Sequence, residues 1–396
     1  MPTIHPALCF LLGAAVALAE PDMKKSPVMS LLPDGSHLDD VLLPRYDENL
    51  RLSASLRAAR LTLVNEQSIA GDDLVIEFYN PDQSPRGRID LKQATVYQDK
   101  ALIESREPVS LISDQLCAQG SALHYDYADG VGFLTGPTRT WLKADTMKTT
   151  MLPKQGGSNA AMFGLFGNLL IAAPPVLEDG KSNQPSTHST SLIADLDASA
   201  AATARVRDFV EKARIEGPAD AAAPMPAPDK PLEIEPAATD TVVNCDGGMY
   251  FDSENGVFVY LKNVRVSDPR FALSGANELK IFLTKQAAKA KPGKQDGLGI
   301  GAKFGEVDKI VATGAVRILQ RGVQNGKEPV EASGALFTYR PSSGDIVISG
   351  GYPWVKQGAN FLRAKEPDLI LRLNQSGSFE TKGKWEMGGR PEQTRE

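Results

Sequence analysis

Cysteine and histidine are scarce in this chain of 396 residues, which has three cysteines and four histidines, the latter at positions 5, 37, 124 and 188. No histidine is spaced with another His or Cys as a metal pair, and no CxxC is present, so the sequence spells neither a zinc site nor a dense disulfide framework. Cys117 and Cys245 stand far apart and read as two buried free thiols. Catalytic signatures are missing too: there is no GxSxG elbow, HExxH or Walker A, and Gly297, Gly299 and Gly301 run into Ala302 where a dinucleotide fingerprint needs its last glycine. The acid pairs Asp72-Asp73 and Glu104 with Glu107 fall at turns and strand ends, where Asp serves turn chemistry, and His124 beside Tyr125 reads as a strand residue. A net charge of -6 with both signs interspersed leaves no footprint for nucleic acid. These absences lead to the expectation of a protein that is not an enzyme and needs no cofactor.

What is there instead is repetition. A phrase of a small residue, an aromatic, a polar turn, a short apolar strand and a closing Gly or Asn before Val or Pro recurs four times. It reads ATVYQDKALIESREPV from Ala94, GSALHYDYADGVGFLTGP from Gly120, GGMYFDSENGVFVYLKNV from Gly247 and ASGALFTYRPSSGDIVISGGYP from Ala332. A unit that small cannot bury its own apolar face and must stack on its neighbours. Tyr97, Tyr125, Tyr250 and Tyr339 hold matching places in the phrase and are expected to pack on the adjacent rung.

The rhythm divides the chain. Residues 1–19 carry an apolar run, Ala7 to Ala19, that ends in small-x-small and is too short for the roughly 20 residues of a membrane helix, so it reads as a cleaved signal peptide. Residues 20–45 form a polar arm. Residues 46–145 alternate as strands: Leu74, Ile76 and Phe78 against Val75, Glu77 and Tyr79, then the turn cluster from Asn80 to Gly87. Residues 146–240 break the pattern with an apolar stretch at 160–173, a helix over Ser191 to Ile215 and a Pro/Ala linker from Pro218 to Pro231. In that helix Leu192, Leu196, Ala200, Val206, Phe209, Val210 and Ala213 recur at helical spacing. Strands resume over 241–388, with hairpin signals at Asn255-Gly256 and Asn325-Gly326, and a polar tail follows at 389–396. The basic stretch 285–303 reads as a loop.

At the repeated phrases the chain resembles the OstA-like family of periplasmic lipopolysaccharide-transport proteins that includes LptA and LptC. Asp90 to Pro137 is similar to the LptC pattern and Lys309 to Val355 to that of LptA, with Cys245 to Val266 a looser third match. The resemblance implies an all-β architecture of two V-shaped OstA-like β-jellyroll segments, a periplasmic address, lipopolysaccharide or a related glycolipid as ligand, and partner jellyrolls joined by edge-strand pairing. Its groove positions fall on Val109, Leu111, Leu134, Val264, Val266, Val316, Ile318, Ile346, Ile348, Leu369 and Leu371. Periodicity alone leaves two alternatives open: a splayed V with an apolar groove for acyl chains, or a closed, structural β-solenoid that binds no lipid.

Overall fold

The computed structural model describes residues 33–46, 49–80, 82–113, 116–142, 187–213, 235–252, 255–269, 271–284, 307–320, 329–340, 342–343, 345–373, 379–381 and 383–389. The expected signal peptide, the 160–173 stretch, the Pro/Ala linker, the basic loop and Asn325-Gly326 lie outside the described residues.

Four long strands lead: β1 (His37–Tyr46), β2 (Leu52–Asn65), β3 (Ser68–Tyr79) and β4 (Pro85–Tyr97), each antiparallel to the next. Leu74, Ile76 and Phe78 of β3 are all buried, as their alternation predicts. Strand β1 lies largely within the residues read as a polar arm: Val41 and Leu43 pack on the core while Asp39, Asp40 and Pro44 face solvent. Charge and Pro on an edge strand resist pairing with other chains and mask the strand in composition.

Beyond β4 the ladder forks. One branch runs through β5 (Leu102–Ser105), the other through β6 (Val109–Ser113) and β7 (Leu116–Gly120). The chain then weaves between them as β8 (Ala122–Asp126), β9 (Val131–Thr135) and β10 (Thr138–Leu142), and after an intervening segment as β11 (Thr241–Cys245) and β12 (Gly248–Asp252). The first layer pairs β5, β8, β9 and β12; the second pairs β6, β7, β10 and β11. Both rejoin at β13 (Val257–Ser267), whose first half pairs β12 and whose second half pairs β11. Strands β14 (Phe271–Leu283), β15 (Val307–Gln320) and β16 (Val330–Arg340) continue the ladder. It forks again into β17 (Asp345–Ser349), β20 (Ile370–Leu373) and β21 (Phe379–Thr381) on the first layer, and β18 (Trp354–Gln357), β19 (Asn360–Ala364) and β22 (Trp385–Gly388) on the second. Every pairing is antiparallel, and the whole is an all-β, jellyroll-like fold.

The two layers face each other across one apolar core that runs from Ala54 to Leu371. They are joined along a crease. Long strands bend there: Lys262 and Asn263 in β13 and Gly275 in β14 take φ of +59°, +48° and +74°, where the register shifts. A Cβ on Gly275 would stand 2.1 Å from the Ala315 carbonyl oxygen, so only glycine fits this bend. Short strands cross the same line by breaking, at Gly136-Pro137 between β9 and β10 and at Asp246 and Gly247 between β11 and β12.

The crease explains the repeated phrase. Its small residue marks the bend, and the aromatic that follows points inward. Tyr125 and Phe251 do so and stack, with ring centroids 5.9 Å apart and planes at 21°; Tyr339 is also inward. Tyr250 and Tyr97 do not share that position. Tyr250 belongs to a separate cluster on the outer face, and Phe251 takes the inward place one residue later. Tyr97 alternates with the core-packed Val96 and lies under the Lys100 ammonium, 5.2 Å from its ring centroid.

Helix α1 (Thr187–Lys212) packs on the outside of the first layer. Its second half seats as expected at Val206 and Phe209, which with Ala202 are buried against Phe133, Tyr250, Val257 and Val259. Its first half does not. Leu196 is 40% exposed and Ala200 is exposed, while Asp195 (3%) and Ser199 (5%) are buried in their stead. The physical reason lies on the sheet: Lys309 Nζ reaches Asp195 Oδ1 at 2.9 Å, Arg340 binds the same oxygen, and Lys280 Nζ donates to Ser199 Oγ at 2.8 Å. Lys309 left buried without a carboxylate would be costlier than exposed Leu196 and Ala200.

Candidate functional site

All eleven residues expected to line a groove are buried. Val109 and Leu111 lie on β6, Leu134 on β9, Val264 and Val266 on β13, Val316 and Ile318 on β15, Ile346 and Ile348 on β17, and Leu371 on β20. These ten share the common core; Leu369 is buried just before β20. Two of them, Val266 and Ile318, line an open space together.

That space is an apolar cavity between the layers, on the side away from the crease. Its volume, counted as room for the centre of a water, is ≈ 40 Å³. Ile281, Ile310, Phe337 and Tyr339 line it from the first layer; Leu142, Thr241, Val243, Phe271 and Leu273 join Val266 and Ile318 from the second. Leu279 completes the wall. The sequence signal for the missed residues is the alternation of Phe271 with Leu273 and of Leu279 with Ile281, interrupted by the bend at Gly275. At about 15 Å³ per water in this measure the cavity has room for two or three waters, and an acyl chain would need the layers to part.

Where β10 and β13 approach, the layers meet. Thr140 on β10 of the second layer donates through its hydroxyl to Tyr260 on the first-layer half of β13, at 3.1 Å. Burial holds the Tyr260 phenol above its ordinary range, so it stays a neutral hydroxyl. Beside it Cys245 Sγ lies 2.8 Å from Thr138 Oγ1 and donates to the Gly248 carbonyl at 3.1 Å. Desolvation raises the pKa of this thiol, which acts as a small core hydrophobe. These contacts floor the interior where the two runs of phrases join.

The acid residues weighed earlier serve the surface: Glu104 accepts from Arg106 Nε at 2.8 Å and Asp72 from Gln93 Nε2 at 3.0 Å. His124 sits on the outer face of β8 opposite Glu104, and burial lowers its pKa. No helix among the described residues is long and apolar enough to cross a membrane.

No family model matches this chain, and no curated protein matches it either. Among solved structures it is similar to LptH, the LptA-homologous periplasmic component of the lipopolysaccharide transport device of Pseudomonas aeruginosa. The similarity runs at 15% identity over 38% of this chain and 95% of that chain, with a TM-score of 0.28. A likeness of that size carries no statement about activity.

Proposed function

We propose that this protein is a periplasmic, non-catalytic lipid carrier that shields acyl chains of lipopolysaccharide or a related glycolipid between its two layers. The observation that carries the reading is the cavity: a gap walled almost wholly by aliphatic and aromatic side chains, on the side of the sandwich that the crease leaves open. Binding there needs no polar catalyst, since each acyl CH₂ removed from water contributes roughly 0.8 kcal/mol. The rung order that resembles the OstA-like family supports the same reading. Strands β21 and β22, at the end of the ladder away from the charged β1 edge, each pair on one side alone among the described residues, which leaves an edge on which a partner jellyroll could add a strand.

A second reading is favoured by a specific observation. The Thr140–Tyr260 contact and the close packing of the remaining expected groove residues suit a closed scaffold of the cell envelope. Photocrosslinking separates the two. A photoreactive residue in place of Ile318 or Phe337, in protein isolated from a Gram-negative envelope, is expected to capture lipopolysaccharide. Adducts to protein alone at both positions would select the scaffold.

A further inference from the structure

Helix α1 crosses the strands of the first layer, with contacts that run from β8 through β9, β12, β13, β14 and β15 to β16. The outer side chains beneath it form one cross-strand row, in which Asp126 faces Val131, Val131 faces Asp252, Asp252 faces Val257, Val257 faces Phe282 and Phe282 faces Lys309. The row is acidic at one end and basic at the other. The helix carries the opposite order: Lys212 Nζ lies 3.0 Å from Asp126, Arg205 4.0 Å from Asp252, and Asp195 binds Lys309 and Arg340. Lengths agree as well. Asp195 to Lys212 is about 26 Å of helix, and six strand spacings from β8 to β16 are about 29 Å. Docked in the reverse direction, the helix would set like charges together.

The two halves of α1 are held differently. The buried apolar contacts of Ala202, Val206 and Phe209 fall over β9, β12 and β13, with half-buried Phe282 of β14 at their margin. Over β14, β15 and β16 the helix is held by polar contacts: Ser199 to Lys280, Thr203 to Glu278, and Asp195 to Lys309 and Arg340. These same strands wall the cavity from the first layer. Lys280 stands between Leu279 and Ile281, Lys309 precedes Ile310, and Arg340 follows Tyr339.

We infer that the first half of α1 is a latch on the interior. Docked through Asp195, it fixes the curvature of β14 to β16 and keeps the gap at the size of a few waters. Released, with the second half still anchored by Phe209, it lets these strands move away from the second layer and admit an apolar chain. The identity of that chain rests on the lipid-carrier reading; the mechanical coupling does not.

The test compares wild type with Asp195→Lys, which sets a third cation beside Lys309 and Arg340, and with the charge exchange Asp195→Arg plus Arg340→Asp. Hydrogen exchange reads the helix and β14 to β16, and binding of the apolar dye 1-N-phenylnaphthylamine reads the gap. Asp195→Lys is expected to speed exchange in both regions. It should lower the dye's half-saturating concentration about tenfold, as when a competent state rises from one tenth to full population. The charge exchange should restore both. A helix that exchanges faster while β14 to β16 and dye binding stay as in wild type would overturn the latch, as would a helix unmoved by the reversal. If the dye binds no form, the lipid reading falls, and the latch stands or falls on exchange in β14 to β16 alone. Should Asp195→Lys fail to fold, Asp195→Asn should move both readouts the same way by less, and no movement in either would count against the latch.

Discussion

The Thr140 hydroxyl and the Tyr260 hydroxyl meet at 3.1 Å across the two layers, both buried, at the place where the first and second runs of phrases join. Removing one partner strands the other. Tyr260→Phe should therefore lower the unfolding free energy in urea by about 1–2 kcal/mol, and the double change with Thr140→Val should recover most of it, because two apolar groups leave no polar atom unsatisfied. Equal losses in the single and double variants would show that the contact does not tie the layers.

Tyr125 and Phe251 come from strands on either side of β9, and their rings close over Gly132, which pairs with both. A Cβ at Gly132 would lie 2.2 Å from Phe251 Cζ. Gly132→Ala should cost about 1–3 kcal/mol by overpacking, and Phe251→Leu in the same chain should return part of that loss. Denaturant midpoints of wild type and these two variants decide it.

Filling the cavity should separate stability from binding. Ile318→Phe places added volume in the ≈ 40 Å³ space and should leave stability within about 1.5 kcal/mol of wild type. Dye or lipid uptake should fall sharply in the same protein. Unimpaired uptake would place the ligand elsewhere.

Acid should weaken the fold through His124. Burial holds its pKa below the usual value near 6.5, so the unfolded chain takes the proton first. The contribution is complete above about pH 6.5 and is lost as pH falls below it toward the depressed folded value. Glu104 opposite favours the charged ring and Arg106 opposes it, both less than desolvation does. Urea midpoints at pH 7.5 and pH 5 should differ less in His124→Gln than in wild type. An identical slope in the two proteins would assign the acid sensitivity to other groups.

Strand periodicity made the core legible in advance. Leu74, Ile76 and Phe78, or Ile346 and Ile348, sit in simple alternation and are buried where alternation puts them. Phase breaks hid the rest. In β16 the inward set changes from Val330 and Ala332 to Phe337 and Tyr339, because the strand shifts register where it crosses the crease. Tyr250 and Phe251 are adjacent aromatics on opposite faces, and only their depth in the layer tells which is the rung. Helix α1 was legible as a helix, while the docking face of its first half was not. Hydrophobic spacing favours Leu196 and Ala200, and the face is decided by Lys280, Lys309 and Arg340, which approach only after the sheet has formed.

Leu142 at the end of β10 pairs directly with Thr241 at the start of β11. The strands on either side of α1 in the chain are therefore partners in one ladder, and α1 lies within the connection that joins them. A short turn could close β10 onto β11, and the excised helix could then be supplied as a separate peptide to restore its hold on β14 to β16. The sheet and its helix are in this sense two genetically separable parts, able to diverge at different rates or to be shared out between two chains.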